Sequence, residues 1–482
     1  MMDFIKACQI ALSHAKSLGS SYADIRIETV QSETVSAKNS TPEPIIKSGS
    51  LGFGIRVLAS GAWGFASCPD LTAKKIRETT GLAIQMAKAA SLLKKQDILL
   101  SPLEATVDTY TTPIKKDPFE IPLKEKLERL LFLNEAMRKV EGLAMVNSFM
   151  HFVRINKTLS SSLGSFVEQT IYQSGVGISA TAMQGGHKNV QIRSFPQNSG
   201  QYETKGYELV DELGLEENAP KIADQAVQLL SAKQCPSGTK DIILDGSQVS
   251  LQVHESIGHP LELDRVFGSE RNFSGTSFAF PDKLNYLKYA CPIVNVVNDP
   301  TYPGGLGTFG YDDEGVKAHK SYLIRDGLLV GYLSSREYAA KINTVSNGCM
   351  RAEGWQNLPI VRMTNTNLLP GDETLEQMIA GIDDGIFMST PDSWSIDDNR
   401  ENFKMGCEIG WEIKNGKLGE MVKNPSYSGN TIEFWNSCDA IAGPDYWKIW
   451  GTPNCGKGQP GQIMAVSQGA SPARFRRIRV GE

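Results

Sequence analysis

The sequence predicts an α+β protein. Its amino-terminal part mixes helices with antiparallel sheets, and a β-rich, barrel-like part follows that carries one helix with a histidine pair. Three observations lead there. Helical 3.6-residue periodicity and two-residue alternation both occur in the first half. Beyond about residue 285 the chain is mostly short β-like segments rich in Gly, Asn and Pro. A chain of 482 residues also exceeds what one ordinary core supports.

Taken in order, Phe4, Ile5, Cys8, Ile10, Ala11 and Leu12 mark an amphipathic first helix, and "YADIRIETVQSETVSAKN" alternates as half-buried strands do. Residues 49–67 read as a hairpin turning at Ser60-Gly61, so Gly52-Phe53-Gly54 is not a phosphate loop. A helix is expected over 71–93, then a proline-bearing link near 102–122 and a second helix over 123–140. Residues 144–196 read as several strands, "AMVNSFMHFVRIN", "SFVEQTIYQ" and "GVGISATAM". A helix near 219–233 is closed by Cys235-Pro236-Ser237-Gly238, the main boundary. That divides the chain into 1–235, open to subdivision at about 1–100 and 115–235, and 236–482. In the second part, strand 241–245 leads to a helix capped by Ser247 with Val249, Val253 and Ile257 on its buried side. Hairpins are expected at Asp326-Gly327 and Asn415-Gly416, one helix around 374–380, and a last strand through Phe475, Ile478 and Val480.

Composition narrows the function classes. No apolar run reaches membrane-spanning length, and the first residues fit a helix better than a secretory leader, so a cytoplasmic protein is expected. A net charge of −5 argues against broad nucleic-acid binding, and the basic end "ARFRRIRVGE" reads as a strand with a solvated face. None of the eight cysteines lies in a C-x-x-C pair, so reduced, mostly buried thiols are expected.

The segment "HESIGHPLELD", residues 254–264, concentrates the chemistry. It resembles H-E-x-x-H with one residue too many. In a regular α-helix, residues i and i+5 point about 140° apart, so His254 and His259 could not share an ion. Gly258 permits unusual backbone angles and Pro260 cannot continue the helix, so a π-type turn or helix end is expected at 256–260. Two readings stand at this point, a metal pair and two helix-end histidines with no metal. A third ligand would come from elsewhere. His14, His151, His187 and His319 lack supporting neighbours, whereas Cys455 sits in the loop-like "GTPNCGKGQPGQ" with Lys457 nearby to favour a thiolate. Such a thiolate suits a metal ligand or a nucleophile. Glu262 and Asp264 are candidates to accept the second ring protons of the histidines.

Together with "GTFGYDDEGV", "LIRDGLLVGYL", "LPIVRMTNTNLLPGD", "PNCGKGQPGQ" and the amino-terminal "GFGIRV…GAWGFAS", this motif resembles the TldD branch of the TldD/PmbA family of zinc metallopeptidases, also labelled modulators of DNA gyrase. The resemblance implies Zn2+ held by His254, His259 and Cys455, with Glu255 as general base. It implies unfolded peptides or small proteins as substrates, bound by strand addition. It further implies a dimer, either with itself or with a TldE/PmbA-like paralogue. The run near residue 403 departs from the family pattern, which leaves the groove around it less defined. Two further readings are a non-catalytic modulator of gyrase and a hydrolase using Cys455 as nucleophile.

Overall fold

The computed structural model describes residues 3–185 and 188–481; His187 lies outside the described residues. The first half is built on one nine-stranded sheet. Its main path runs Ala62–Cys68, Ile46–Ala59, Tyr22–Lys38, Leu143–Ser161, Phe166–Gln184 and Val107–Thr111. All of these pair antiparallel except the last, which lies parallel to its neighbour.

Alternation along strand Tyr22–Lys38 shows how the sheet is used. Ala23, Ile25 and Ile27 face a core formed with helices Phe4–Ser17 and Ala73–Ser91. Val35 and Ala37, on the same face but farther along, enter a second core under helices Leu123–Arg138 and Leu215–Ser231. Even-numbered positions point the other way. Alternation alone suggests that they are solvated, yet Asp24, Arg26 and Glu28 are buried. They pair with charges from both halves. Arg56 reaches Asp24 at 2.7 Å and Glu314 at 3.2 Å, and Lys157 bridges Glu28 at 3.2 Å and Asp313 at 2.6 Å. Loop 312–314 thereby docks the second half onto the sheet.

The second half contains a closed five-stranded barrel. Gly238–Leu244 lies between Asp384–Ile396 and Ala473–Val480; Asn402–Lys414 follows Asp384–Ile396, and Ser426–Asn430 closes the ring. The barrel-like expectation for this half holds. Phe403, Met405, Tyr427, Phe434 and Phe475 fill it, and Phe434 stacks on Phe475 at 4.0 Å between centroids. The odd spacing of Phe475 and Ile478 has a cause. A bulge opposite Lys240/Ile242 puts Arg477 at φ 56°, and Asp241 receives the Arg477 N–H at 3.0 Å and Arg476 Nη1 at 2.7 Å.

All three expected hairpin turns occur, with positive φ at both turn residues: Ser60-Gly61, Asp326-Gly327 and Asn415-Gly416. Other expectations need correction. "SFVEQTIYQ" and "GVGISATAM" form one unbroken strand, Phe166–Gln184. Its Gly175 and Gly177 are demanded by close packing, since a Cβ there would sit 2.0 Å from the Tyr202 ring or 2.8 Å from Phe149 and the Gly200 backbone. The supposed link near 102–122 contains strand Val107–Thr111, an edge strand too polar to show alternation. Beyond residue 285 the helix Leu375–Ala380 has company in Arg336–Lys341 and Thr431–Asn436, each too short to carry a periodic stripe. All eight cysteines are free, and Cys68 and Cys291 are the two that are not fully buried. Among the described residues no helix is long and apolar enough to cross a membrane.

Candidate metal centre

Strand Gly238–Leu244 leaves the barrel directly into helix Gly246–Val253. The cap is Asp245 and not Ser247: its carboxylate accepts the Gln248 N–H at 2.8 Å and the Ser247 hydroxyl at 2.8 Å. A carboxylate at the positive end of the helix dipole outcompetes a hydroxyl two residues on.

The helix then widens. Residues His254–Gly258 form one π-helical turn, closed by the His259 N–H bonding to the His254 carbonyl, and His259–Leu261 tightens to 3-10 geometry. An i→i+5 hydrogen bond stacks residues five apart as an α-turn stacks residues four apart. The two imidazoles therefore come together, with ring centroids 4.9 Å apart and planes at 84°. The expected distortion is present, but Gly258 serves it differently from the expectation. Its φ of −58° and ψ of −63° are ordinary helical values. What excludes a side chain is Met363, whose Sδ would lie 2.0 Å from a Cβ at residue 258. Pro260 sits in the first turn of the 3-10 segment, where a missing N–H costs nothing.

Cys455 arrives on strand Lys448–Lys457, paired with Gln462–Ala470, and is buried. The loop expected there is a hairpin whose ladder accommodates Pro453 through a register shift between Thr452 and Cys455. The first half of the chain anchors this hairpin. Gln197 Nε2 donates to the Gly451 carbonyl at 2.9 Å, and Gln201 Nε2 to the Ile449 carbonyl at 2.7 Å.

Donor atoms of His254, His259 and Cys455 all lie within 4.8 Å of one another. The Cys455 Sγ is 3.5 Å from His259 Nε2. Ligands on a tetrahedral zinc ion stand roughly 3.3–3.6 Å apart, so the Cys455–His259 pair already has that spacing. Two further observations test the fit. Nδ1 of His254 is buried with no hydrogen-bond partner. His259 Nδ1 lies 2.9 Å from Glu262 Oε2, and a carboxylate acceptor there fixes the proton on Nδ1 and leaves the Nε2 lone pair facing the thiol. Burial opposes ionisation of Cys455, but His254, His259 and Arg362 outweigh it and hold the thiol well below its ordinary value. Burial likewise opposes the charge on His254, yet Cys455 and Glu255 raise it to about 9. Two nitrogens and a thiolate, buried and convergent, suit a borderline-soft cation.

Glu255 points into the same cavity, a space of about 400 Å3 bounded by His254, His259, Cys455, Asn198, Trp394 and Arg400, among others. Arg400 Nη1 stands 3.7 Å from its Oε2. Of the other carboxylates in the motif, Glu262 does contact a histidine, whereas Asp264 does not. Asp264 accepts Lys457 Nζ at 2.7 Å and the Val361 N–H at 3.2 Å. Lys457 is thus turned away from Cys455 into a fully buried cluster with Glu262, Asp264, Glu270 and Arg265. Beside the two histidines, the cation acting on the thiol is Arg362 rather than Lys457, and its Nη2 donates to the Cys455 carbonyl. Sequence reasoning missed Arg362, Arg400 and Gln468, the last of which favours the charged form of His254. An arginine inside the apolar run "LPIVRMTN" was the one available signal for Arg362. Of the remaining histidines, His151 bonds Thr34 at 2.8 Å, His14 lies on the first helix, and His319 is exposed; none approaches the site.

The PmbA/TldA metallopeptidase C-terminal domain matches residues 237–482, with domain 1 matching 23–87 and the central domain 116–234. The chain belongs to the PmbA/TldD metallopeptidase family. A metalloprotease of Methanocaldococcus jannaschii is 30% identical over 94% of this chain and 95% of its own length. A zinc metalloprotease TldD homolog of Saccharolobus solfataricus is 23% identical over 98% of each chain. The fold recurs in a putative modulator of DNA gyrase from Thermotoga maritima, with a TM-score of 0.76 at 19% identity over 99% of this chain and 100% of that one. TldE from Thermococcus kodakarensis aligns with a TM-score of 0.73 at 16% identity over 99% and 100%. Membership and relatives together make this chain a metallopeptidase of that family.

Proposed function

We propose that the protein is a zinc-dependent peptidase acting on unfolded peptides or small proteins, with His254, His259 and Cys455 as the metal ligands and Glu255 as general base. The observation that carries this reading is the convergence of the three donors, brought together by a π-turn, on a cavity that Glu255 also lines. A bound zinc ion would supply Lewis-acid polarisation of the scissile carbonyl and acidify water. Glu255 takes the proton of the attacking water on its carboxylate and returns it to the leaving amine. Arg400, 3.7 Å away, restrains that carboxylate, and Glu262 keeps the His259 ring in one tautomer and orientation.

Strand Asp384–Ile396 supports extended binding. Its pairing with Gly238–Leu244 ends at Met388, and beyond that point Pro391, Asp392 and Trp394 border the cavity along an edge open on that side. The reading includes assembly with a second chain of this fold, either a copy or a TldE-like paralogue.

The test is direct. Glu255→Ala should bind zinc as the wild type does yet lose about 10²–10⁴-fold in hydrolysis of an unstructured peptide. Normal cleavage by that variant would remove Glu255 as base. The competing use of Cys455 as a nucleophile has one observation in its favour, a thiolate 3.5 Å from an imidazole. It predicts full activity in chelator and loss with iodoacetamide, whereas the metal reading predicts loss in chelator and recovery on adding zinc. A modulator acting by binding alone should tolerate Glu255→Ala.

A further inference from the structure

Two thiols remote from the cavity stand in an arrangement that the peptidase reading does not use. Cys291 lies in the irregular segment between the turn at 281–283 and strand Val296–Asn298, and it is only partly buried. Cys438 opens strand Cys438–Ile441 and is 2% exposed. The Sγ of Cys291 lies 2.7 Å from the Cys438 carbonyl oxygen, a close approach for sulfur, and each thiol alters the ionisation of the other. The Cys291 N–H bonds to the Trp435 carbonyl at 3.2 Å, which fixes one backbone against the other.

We propose that Cys291 and Cys438 form a reversible dithiol–disulfide site, oxidised by a peroxide and reset by a small-molecule thiol. Cys291 reacts first because it is the reachable member. Contact with Cys438 and the N–H groups of Ile293 and Val294 favour its thiolate, whereas that same contact and burial keep Cys438 protonated. The Cys291 thiolate attacks hydrogen peroxide: the O–O bond breaks, an S–O bond forms, and hydroxide leaves. Cys438 then loses its proton to hydroxide and attacks the Cys291 sulfur. The S–S bond forms, the S–O bond breaks, and the second oxygen departs as water after protonation. Two electrons pass from the thiols to the peroxide.

Position gives the pair its interest. Tyr289, two residues before Cys291, donates its hydroxyl to the Ser256 carbonyl at 2.5 Å. Trp435, three residues before Cys438, donates Nε1 to the Ser256 hydroxyl at 2.8 Å. Ser256 is the middle residue of the π-turn. The two props that brace the histidine-bearing turn from behind therefore belong to the two segments that the disulfide would join. Residues 291 and 438 are 147 positions apart, so the bond would close a long loop around the barrel core.

The experiment uses the full chain loaded with zinc. It is exposed to graded hydrogen peroxide, alkylated with iodoacetamide and digested without reduction. The expected product is a peptide pair joined through Cys291 and Cys438 that separates in dithiothreitol, formed before the partly buried, unpaired Cys68 is consumed. In Cys291→Ser the joined pair should vanish. In Cys438→Ser, Cys291 should stop at the sulfenic acid and be captured by dimedone. Oxidation of Cys68 while Cys291 and Cys438 both remain alkylatable would overturn the proposal. So would a Cys291 that pairs with any other cysteine in the wild type. Because the readout is the mass of peptides, failure here leaves the metal reading untouched.

Discussion

Replacing Gly258 by alanine isolates why this turn has its sequence. The new methyl carbon would meet Met363 Sδ at 2.0 Å, Cγ at 3.1 Å and Cε at 3.3 Å, and Met363 is fully buried. Backbone strain contributes nothing, since φ is −58°. Overpacking of this kind costs about 1–3 kcal/mol, and the helical preference of alanine over glycine returns about 0.5–1 kcal/mol. The expected net loss is about 0–2.5 kcal/mol, centred on about 1 kcal/mol, in urea unfolding of the metal-free chain. Residue 258 adjoins His259, so part of that strain should displace the ring, and a loss of about 1.4 kcal/mol there weakens zinc tenfold in competition with a chromophoric chelator. Met363→Ala alone should cost about 2–5 kcal/mol through the cavity it leaves. The double variant should then lose at least about 1 kcal/mol less than the two single losses added together, because the new methyl occupies vacated space. If Gly258→Ala unfolds at or above the wild-type urea midpoint with unchanged zinc affinity, the close approach of Met363 is not what selects glycine.

Other predictions concern the buried charges. Glu262→Ala should weaken zinc about 10–100-fold by freeing the His259 ring, with Glu262→Gln between it and wild type; equal affinities in all three would show that the contact at 2.9 Å orients nothing. Lys457→Met should destabilise by about 3–5 kcal/mol, since it removes the ion-pair partner of Asp264 and leaves Glu262 and Glu270 to share Arg265, and an unchanged thermal midpoint would contradict this. Burial raises Glu408 to about 7 despite Arg193 at 2.6 Å. A carboxyl group raised on folding penalises the folded state as it ionises, so stability should fall as pH climbs from about 4.5 to above 7. The unfolding free energy of wild type relative to Glu408→Gln should drop by about 3 kcal/mol over that window, and a flat difference would refute it.

What could be read in advance was local. The hairpin turns are written in Ser-Gly, Asp-Gly and Asn-Gly pairs, and the histidine spacing together with Pro260 implied the altered turn. Long-range chemistry was not legible. Lys457 is two residues from Cys455, but its ammonium belongs to Asp264, nearly two hundred positions upstream. Arg400 and Gln468 reach the site from different strands or loops, and nothing near them in sequence announces a destination. Gly258 shows the same limit in miniature. Glycine was expected, but the reason was a methionine more than one hundred residues away.

The anchoring of the cysteine hairpin carries a consequence for any attempt to dissect the protein. All three candidate ligands come from the second half, which invites the view that this half is self-sufficient. Yet the backbone at 449–451 is held by the side chains of Gln197 and Gln201, and Gly451 is pressed so close to Tyr202 that a Cβ would fall 2.0 Å from its carbonyl oxygen. A fragment starting near residue 237 would keep the histidine pair on its π-turn and lose the surface that aims the sulfur at it. Its deficit should therefore appear as a lower affinity for metal, one that adding the missing half as a separate chain would repair.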